Sequence, residues 1–141
     1  MSEKEIKNIL ENYKTISVVG LSRNPEKYSY KVARYLQSEG YNIVPVNPYA
    51  NKILGKKCYK NLIEILELVE IIDIFRPSEQ VLPIVKEAIE LKKRIKTPRV
   101  IWMQVDIVNQ KAARLAKNSN FVVVMNKCMM REHRHLYYHK K

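Results

Sequence analysis

The sequence predicts an α/β protein built on one doubly wound, five-stranded and mainly parallel sheet, with helices on both faces and an extra N-terminal helix. Five short apolar runs are rich in β-branched residues and apolar on both faces, as expected for strands that are covered on both sides. Helical patterns separate these runs, and 141 residues suit one domain of ordinary size. The five runs are ISVVG (16–20), NIVPV (42–46), IIDIF (71–75), RVIWM (99–103) and FVVVM (121–125).

The first element is expected to be an amphipathic helix over residues 2–13. Ser2 and Glu5 have the spacing of a capping box, in which each side chain accepts a hydrogen bond from the other residue's backbone. The apolar residues that follow share one helical face, which predicts packing against the main body. These residues are Ile6, Ile9, Leu10 and Tyr13.

Three longer helical stripes lie between the predicted strands. Asn61 and Glu64 have a capping spacing that predicts a shorter helix. The lysine-rich stretch KKRIK (92–96) falls at a helix C-terminus, where cations complement the helix dipole, so we interpret it as structural. The stripes are Val32, Tyr35 and Leu36; Val81, Val85, Ala88 and Ile89; and Ala112, Leu115 and Ala116.

Composition and charge limit the classes of protein that fit. A formal charge of +12 favours an anionic ligand, but the charge is not concentrated in one arm, so nucleic acid is not the partner we expect. No apolar run reaches the roughly 20 residues of a membrane span, and the N-terminus does not have the pattern of a signal peptide. Two cysteines without a CxxC pair suit a reducing compartment. We expect a cytoplasmic protein without a membrane partner.

Polar or conformationally special residues follow every predicted strand. In an open parallel sheet, ligands bind beyond the carboxyl ends of the strands, where the strand order reverses. We therefore expect the ligand site among the five segments that directly follow the predicted strands, which we call the strand exits. These exits are GLSRNP (20–25), PVNP (45–48), FRP (75–77), MQ (103–104) and NKC (126–128).

The first exit has the outline of a phosphate-binding turn. Gly20 permits a tight turn, and Ser22 and Asn24 precede a helix whose free N–H groups and positive dipole end favour an anion. Arg23 adds positive charge. A dinucleotide fingerprint has the pattern G-x-G-x-x-G, whereas Ser22 and Pro25 stand at its second and third glycine positions. An ordinary strand-to-helix turn therefore stays open as the alternative.

The second and third exits argue against a nicotinamide cofactor and for a different nucleotide. The acidic residue that would hold the ribose hydroxyls near the end of the second strand is replaced by VNPY. Pro45 and Pro48 stiffen that exit into a wall, although prolines also simply terminate strands. Phe75 and Arg76 offer a ring and a guanidinium that can stack on a base or hold a phosphate.

Catalytic signatures are scarce, so a binding protein is favoured over an enzyme. The chain has no nucleophile elbow, HExxH motif or GKS/T loop. Cys128 and three C-terminal histidines leave a metal site or a reactive thiol as alternatives. Residues two apart on a helix point in different directions, so His133 and His135 are not expected to converge on one metal. His139 is the third histidine. Trp102 is expected in the core.

Taken together, the strand exits resemble the small CoA-binding protein family, stand-alone relatives of the N-terminal CoA-binding domain of succinyl-CoA synthetase α subunits. The resemblance implies a Rossmann-like fold, a single CoA-binding domain over residues 1–141 with a core at about 15–135, and coenzyme A or an acyl-CoA as the ligand. The matching stretches are VVGLSRNPEKYSYKVARYLQSEGYNIVPVNP, ILGKKCY, IIDIFRP, VIWMQ and NKCMMREH.

The resemblance also implies a role for each exit. The first turn would hold the CoA pyrophosphate, the second and third exits would border the adenosine end, and the fourth and fifth would lie towards the pantetheine. The residues concerned are Gly20, Leu21, Ser22, Arg23 and Asn24 for the phosphates; Val46, Asn47, Pro48, Phe75 and Arg76 for the nucleotide; and Met103, Gln104 and Lys127 for the pantetheine.

The resemblance has limits that shape the functional hypothesis. Such proteins commonly have a small residue and a glycine after WMQ. In this chain VDIVN follows instead, and its Asp106 could crowd the path of the pantetheine. The chain lacks the second domain of the synthetase α subunit, so ligase activity is not carried over. The leading hypothesis is a CoA carrier, sensor or regulator without catalysis of its own. The alternatives are a small acyl-CoA-dependent enzyme and a nucleic-acid-binding module.

Overall fold

The computed structural model describes residues 1–138, which form five α-helices, a five-stranded sheet and a two-stranded hairpin. The helices are α1 (Glu3–Asn12), α2 (Tyr28–Ser38), α3 (Val81–Ile95), α4 (Gln110–Asn118) and α5 (Met129–Tyr137). The strands are β1 (Thr15–Val19), β2 (Asn42–Val46), β3 (Lys52–Ile53), β4 (Lys56–Lys57), β5 (Ile71–Ile74), β6 (Val100–Met103) and β7 (Val122–Val124).

The main sheet is parallel and doubly wound, which confirms the predicted fold class. Its strand order is β2-β1-β5-β6-β7. The chain leaves β1 in one direction to form β2 and then returns to the opposite side of β1 as β5. The strand order therefore reverses between β1 and β5, and their carboxyl ends flank the crevice where such sheets bind ligands.

Helices cover both faces of the sheet, and each face has its own apolar core. On one face, α1, α2 and α5 pack around buried residues that include Ile16, Val18 and Trp102. On the other face, α3 and α4 pack against Ile72 and Ile101. Because successive strand residues point to opposite faces, the five mainly apolar runs supply both cores.

The N-terminal helix begins with the predicted capping box. The Glu5 N–H donates to Ser2 Oγ at 3.1 Å, and the Ser2 N–H donates to Glu5 Oε1 at 2.9 Å. Ile6, Ile9 and Leu10 are buried on the side that packs against the body. The spacing in the sequence therefore predicted both the start and the buried face of α1.

The connection from β2 to β5 differs from the predicted short helix. It contains the β3–β4 hairpin, which turns at Leu54 and Gly55, both with positive φ, and then one 3₁₀ turn over Leu62–Glu64 capped by Asn61. Arg94 Nη2 donates to the carbonyls of Ile63 and Ile65. Ile65, which follows this turn, has extended backbone with ψ 131°, so the turn does not continue as a helix.

The cationic end of α3 is structural, as the sequence indicated. Lys92, Lys93 and Arg94 occupy the last turn of the helix, and Lys96 ends it in the left-handed conformation with φ 69°. Lys92 Nζ also donates to the carbonyl of Asn120 at 2.7 Å, which ties the end of α3 to the loop before β7.

None of the helices within residues 1–138 combines the length and the apolar character that crossing a membrane requires.

Candidate functional site

A cleft of about 570 Å³ opens at the point where the strand order reverses. Its walls come from the turn after β1, the loop after β2, the segment after the hairpin, and the exit of β5 with the start of α3. The predicted residues that line it are Gly20, Ser22, Val46, Asn47, Pro48 and Arg76. Three of the five strand exits therefore meet at one site.

Gly20 forms the floor of this cleft in a conformation that side chains rarely adopt. Its φ is +84°, and its N–H donates to the carbonyl of Val46 at 3.0 Å. A Cβ built on Gly20 would lie 2.7 Å from the carbonyl oxygen of Phe75 and 2.7 Å from Cδ of Arg76. The absence of a side chain thus lets β1 and β5 approach each other at the switch point.

The turn after Gly20 is held by its own polar groups. The Ser22 N–H donates to Ser29 Oγ, the Asn24 N–H donates to Ser22 Oγ, and the Glu26 N–H donates to Asn24 Oδ1, each at 3.0 Å. These bonds use the oxygens of Ser22 and Asn24 as acceptors. The Ser22 hydroxyl proton and the Asn24 amide protons therefore remain available among the uncharged side chains of this turn to donate to an anion.

The start of α2 has the features of an anion-binding helix terminus. Lys27 is the N-cap residue, its side chain makes no capping hydrogen bond, and the first turn contains no acidic residue. The first N–H groups of α2 thus lack a side-chain partner at the N-cap, and the helix dipole adds positive potential there. The side chain of Leu21 is buried in the core, so only its backbone can contribute to the turn.

The loop after β2 is clipped onto the first turn. Asn47 Nδ2 donates to the Leu21 carbonyl at 2.9 Å, and Asn47 Oδ1 accepts from the Tyr49 N–H at 2.7 Å. Arg23 Nη1 donates to the Tyr49 carbonyl at 3.1 Å. Asn47 and Arg23 therefore fix the two loops relative to each other. Pro48 is exposed in the same wall.

Arg76 brings a guanidinium to the opposite wall. Its Nε and Nη2 donate to Gln80 Oε1 at 3.1 and 2.7 Å, and its aliphatic stem lies against Gly20. The side chain is exposed to solvent. Phe75 points to the other face of the sheet, where its ring meets Tyr28 edge to face with centroids 6.1 Å apart. Arg76, rather than Phe75, thus faces the cleft.

The fourth and fifth exits lie apart from the cleft. Met103 and Gln104 are buried, and Gln104 Oε1 accepts from the Met129 N–H at 3.2 Å, which caps the start of α5. The Lys127 carbonyl accepts from Trp102 Nε1 at 2.8 Å. Trp102 is fully buried, as predicted. The structure thus shows a packing role for the Gln104 side chain and the Lys127 carbonyl.

Sequence reasoning missed part of the cleft lining. Lys60 and Asn61 enter it because Tyr59 pairs with Val46 along the edge of β2. The signal for this geometry is the Leu-Gly pair of the hairpin, which turns the chain back towards β2. Apart from Val19 and Tyr49, the remaining lining residues come from the exit of β5 and the first turns of α3. They include Glu79, Gln80, Pro83, Ile84 and Glu87.

The groups considered as reactive, the Cys128 thiol and the histidines of α5, have surroundings that differ from those of the cleft. Cys128 is buried, and the Tyr28 hydroxyl donates to its Sγ at 2.5 Å. Burial and this bond raise the pKa of Tyr28 to about 12. Burial lowers the pKa of His133, whose Nδ1 is 2.8 Å from the Tyr35 hydroxyl.

The described part of the chain contains no cluster of side chains that could act together as metal ligands. Within residues 1–138, no three His, Cys, Asp or Glu side chains are placed to hold one ion. His135 pairs with Glu3 at 3.2 Å, and His139 lies outside the described residues. Cys58 and Cys128 are both free and buried.

The parallel sheet, its switch point and the glycine turn beside a cationic helix start define a doubly wound, Rossmann-like domain with a cleft suited to an anionic ligand. A family model described as CoA binding domain matches residues 14–134. The chain belongs to this CoA binding domain family.

Relatives and solved structures agree with this assignment. The uncharacterized protein YneT of Bacillus subtilis is 37% identical over 132 residues, which are 94% of each chain. A hypothetical protein from Pyrococcus horikoshii OT3 superposes with a TM-score of 0.90 at 34% identity, over 96% of this chain and 92% of that one. An ADP-forming acetate–CoA ligase of Methanocaldococcus jannaschii is 25% identical over 82% of this chain, but the match covers 17% of that enzyme.

Proposed function

We propose that the protein binds coenzyme A or an acyl-CoA in the cleft at the switch point and acts as a carrier, sensor or regulator without catalysis of its own. The observation that carries the proposal is the cleft itself. Ser22 and the Arg76 guanidinium line one open volume. The Asn24 amide and the uncapped N-terminus of α2 belong to the turn that follows Ser22. Each of these groups favours phosphate. A cytoplasmic location stays a prediction.

The second strand supports CoA over a nicotinamide cofactor. Val46, Asn47 and Pro48 form the wall at the carboxyl end of β2, and none of them carries the carboxylate that would accept from ribose hydroxyls. The carboxylates of Glu79 and Glu87 line the opposite side of the cleft. The Leu62 N–H donates to Glu87 Oε1 at 3.2 Å, so Glu87 already has a structural role.

Ligase activity is not part of the proposal. In the acetate–CoA ligase of Methanocaldococcus jannaschii, the matching region is a small part of a much longer enzyme. The Cys128 thiol lies under Tyr28 on the α2 side of the sheet and does not line the cleft. Binding is therefore the activity that the residues of the cleft support.

Arg23 is proposed to contact the 3′-phosphate of CoA. It is exposed, and its bond to the Tyr49 carbonyl holds the guanidinium at the rim of the cleft. We expect Arg23→Ala to weaken CoA by about tenfold, the value of one charge-assisted hydrogen bond, and to weaken dephospho-CoA by less than about twofold. Isothermal titration of both ligands measures the difference.

The control for this experiment is Arg114→Ala, which removes an equal charge from the exposed surface of α4. This variant should bind both ligands as the unsubstituted protein does. Equal losses for CoA and dephospho-CoA in Arg23→Ala would place the 3′-phosphate elsewhere. Such losses would not contradict the proposal that the first turn binds the pyrophosphate.

A further inference from the structure

A groove between α2 and α5 gathers cations from two distant parts of the chain. Lys31 and Arg34 lie on α2, and Arg131 and Arg134 lie on α5, which packs against it. Two adjoining depressions of about 440 Å³ each share Tyr35 and Arg134 in their lining. The fold therefore brings together four cations from helices that are distant in the sequence.

The charge of this groove is not neutralised by neighbouring carboxylates. Within residues 1–138, no ion pair involves any of these four cations, and α2 carries no acidic residue. Among the described residues, no glutamate lines either depression. Glu132 lies on α5 between Arg131 and Arg134, and Glu39 accepts from the Tyr138 hydroxyl at 2.6 Å, so two carboxylates near the groove face four cations. The groove therefore presents a net positive potential to solvent.

Aromatic side chains form part of the same groove. The Arg134 guanidinium lies 4.9 Å from the centroid of the Tyr35 ring, and the Tyr35 hydroxyl is bonded to buried His133. This arrangement orders the floor of the groove. Tyr138 lines one end and is 54% exposed, whereas the Tyr137 ring packs on the ring of buried His133 with centroids 4.6 Å apart. The Tyr138 ring is thus available to a ligand next to the cations.

We propose that this groove binds the phosphodiester backbone of a single-stranded nucleic acid. Three of the four cations are arginines, whose planar guanidinium can hold two phosphate oxygens at once. The exposed Tyr138 ring beside a positive groove provides a stacking surface for a base, which an acidic peptide would not use. The net charge of +12 adds long-range attraction for a long polyanion.

The groove is separate from the CoA cleft, so the two proposals can be tested independently. The cleft extends towards Pro83, Ile84 and Glu87 of α3, which covers the opposite face of the sheet from α2 and α5. Removal of cations from the groove leaves the lining of the cleft intact.

The test is fluorescence anisotropy of the full chain with labelled oligo(U) and oligo(dT) of about 20 nucleotides, between about 50 and 200 mM salt. The groove variant is Arg34→Ala with Arg131→Ala. The matched control is Lys111→Ala with Arg114→Ala, which removes the same charge from the exposed surface of α4 on the other face. Urea unfolding followed by the fluorescence of buried Trp102 shows whether each variant is folded, independently of CoA binding.

We expect the groove variant to lose about tenfold or more in affinity, and the slope of log K against log salt to become shallower by about 1.4, because each lost phosphate contact contributes about 0.7. The control should stay within about twofold. A preference between oligo(U) and oligo(dT) identifies RNA or DNA as the source of the strand.

Three results would overturn the proposal. The first is an equal loss of affinity in both double variants, which would indicate that the oligonucleotide is attracted only by the net charge of the whole protein. The second is the absence of any oligonucleotide binding by the unsubstituted protein at about 50 mM salt. The third is displacement of the oligonucleotide by poly-L-glutamate at equal charge concentration without any effect of Tyr138→Ala, which would indicate an acidic protein partner.

Discussion

Gly20→Ala is expected to lower the free energy of unfolding by about 3 kcal/mol or more, because it combines two costs. The φ of +84° strains any residue with a Cβ, at about 1–2 kcal/mol. The new Cβ would also meet the Phe75 carbonyl oxygen at 2.7 Å, a backbone atom that cannot rotate away. Urea unfolding followed by the fluorescence of Trp102, the single tryptophan, measures the effect.

The matched control is Gly55→Ala. Gly55 has a φ of +74°, and a Cβ built there meets nothing within 4 Å. This variant should therefore lose only the conformational cost of about 1 kcal/mol. The difference between the two variants in free energy of unfolding measures the cost of placing a Cβ where β1 and β5 approach each other at the switch point. Equal destabilisation of both variants would show that this approach relaxes freely and is not a constraint of the fold.

Asp73→Asn is expected to stabilise the protein increasingly as the pH rises. Asp73 lies in the middle of β5 between Val18 and Trp102, is fully buried, and neither carboxyl oxygen has a hydrogen-bond partner. Complete burial penalises the charged form and raises the pKa of Asp73 well above its ordinary value. The folded state thus retains a proton that the unfolded chain releases.

The direction of the pH dependence follows from this proton. Above the unfolded pKa of about 4, the unsubstituted protein loses stability by about 1.4 kcal/mol per pH unit until the folded pKa of Asp73 is reached. The Asp73→Asn variant has no titrating group at this position, so it lacks this loss. The free energies of unfolding of the two proteins should therefore be most similar at about pH 4 and should differ clearly at about pH 8. Urea unfolding at several pH values measures the divergence.

Asp106→Asn provides the control for this prediction. Asp106 is exposed, with a φ of 68° that asparagine also tolerates. The same substitution at this exposed position tests whether the pH dependence requires burial of the carboxyl group. If the difference in free energy of unfolding between the unsubstituted protein and the Asp73→Asn variant stayed constant from about pH 4 to pH 8, Asp73 would not be buried as a neutral acid.

Much of the fold could be predicted because it depends on local patterns. The five apolar runs specified strands covered on both faces, and Ser2 with Glu5 specified the start of α1. Gly20 marked the turn at the switch point because a single glycine before a helix has few other uses in a glycine-poor chain. The meeting of the first three exits followed from the topology of parallel sheets.

Other features depend on contacts between distant residues and left no local signal. The pattern of IIDIF gives no indication that Asp73 is buried without a partner. Gln104 caps α5 only because β6 ends beside the start of that helix. The groove joins cations of α2 and α5 that lie about 100 residues apart in sequence, so the charge appeared dispersed until the helices were packed together.

The most direct test of the central claim is isothermal titration of the purified full chain with CoA and with NADH at matched concentrations. The cleft at the switch point, with its phosphate-binding turn and its second strand lacking a carboxylate, predicts that one CoA binds per chain and that NADH gives no binding heat. Binding of NADH at micromolar concentrations without binding of CoA would contradict the account.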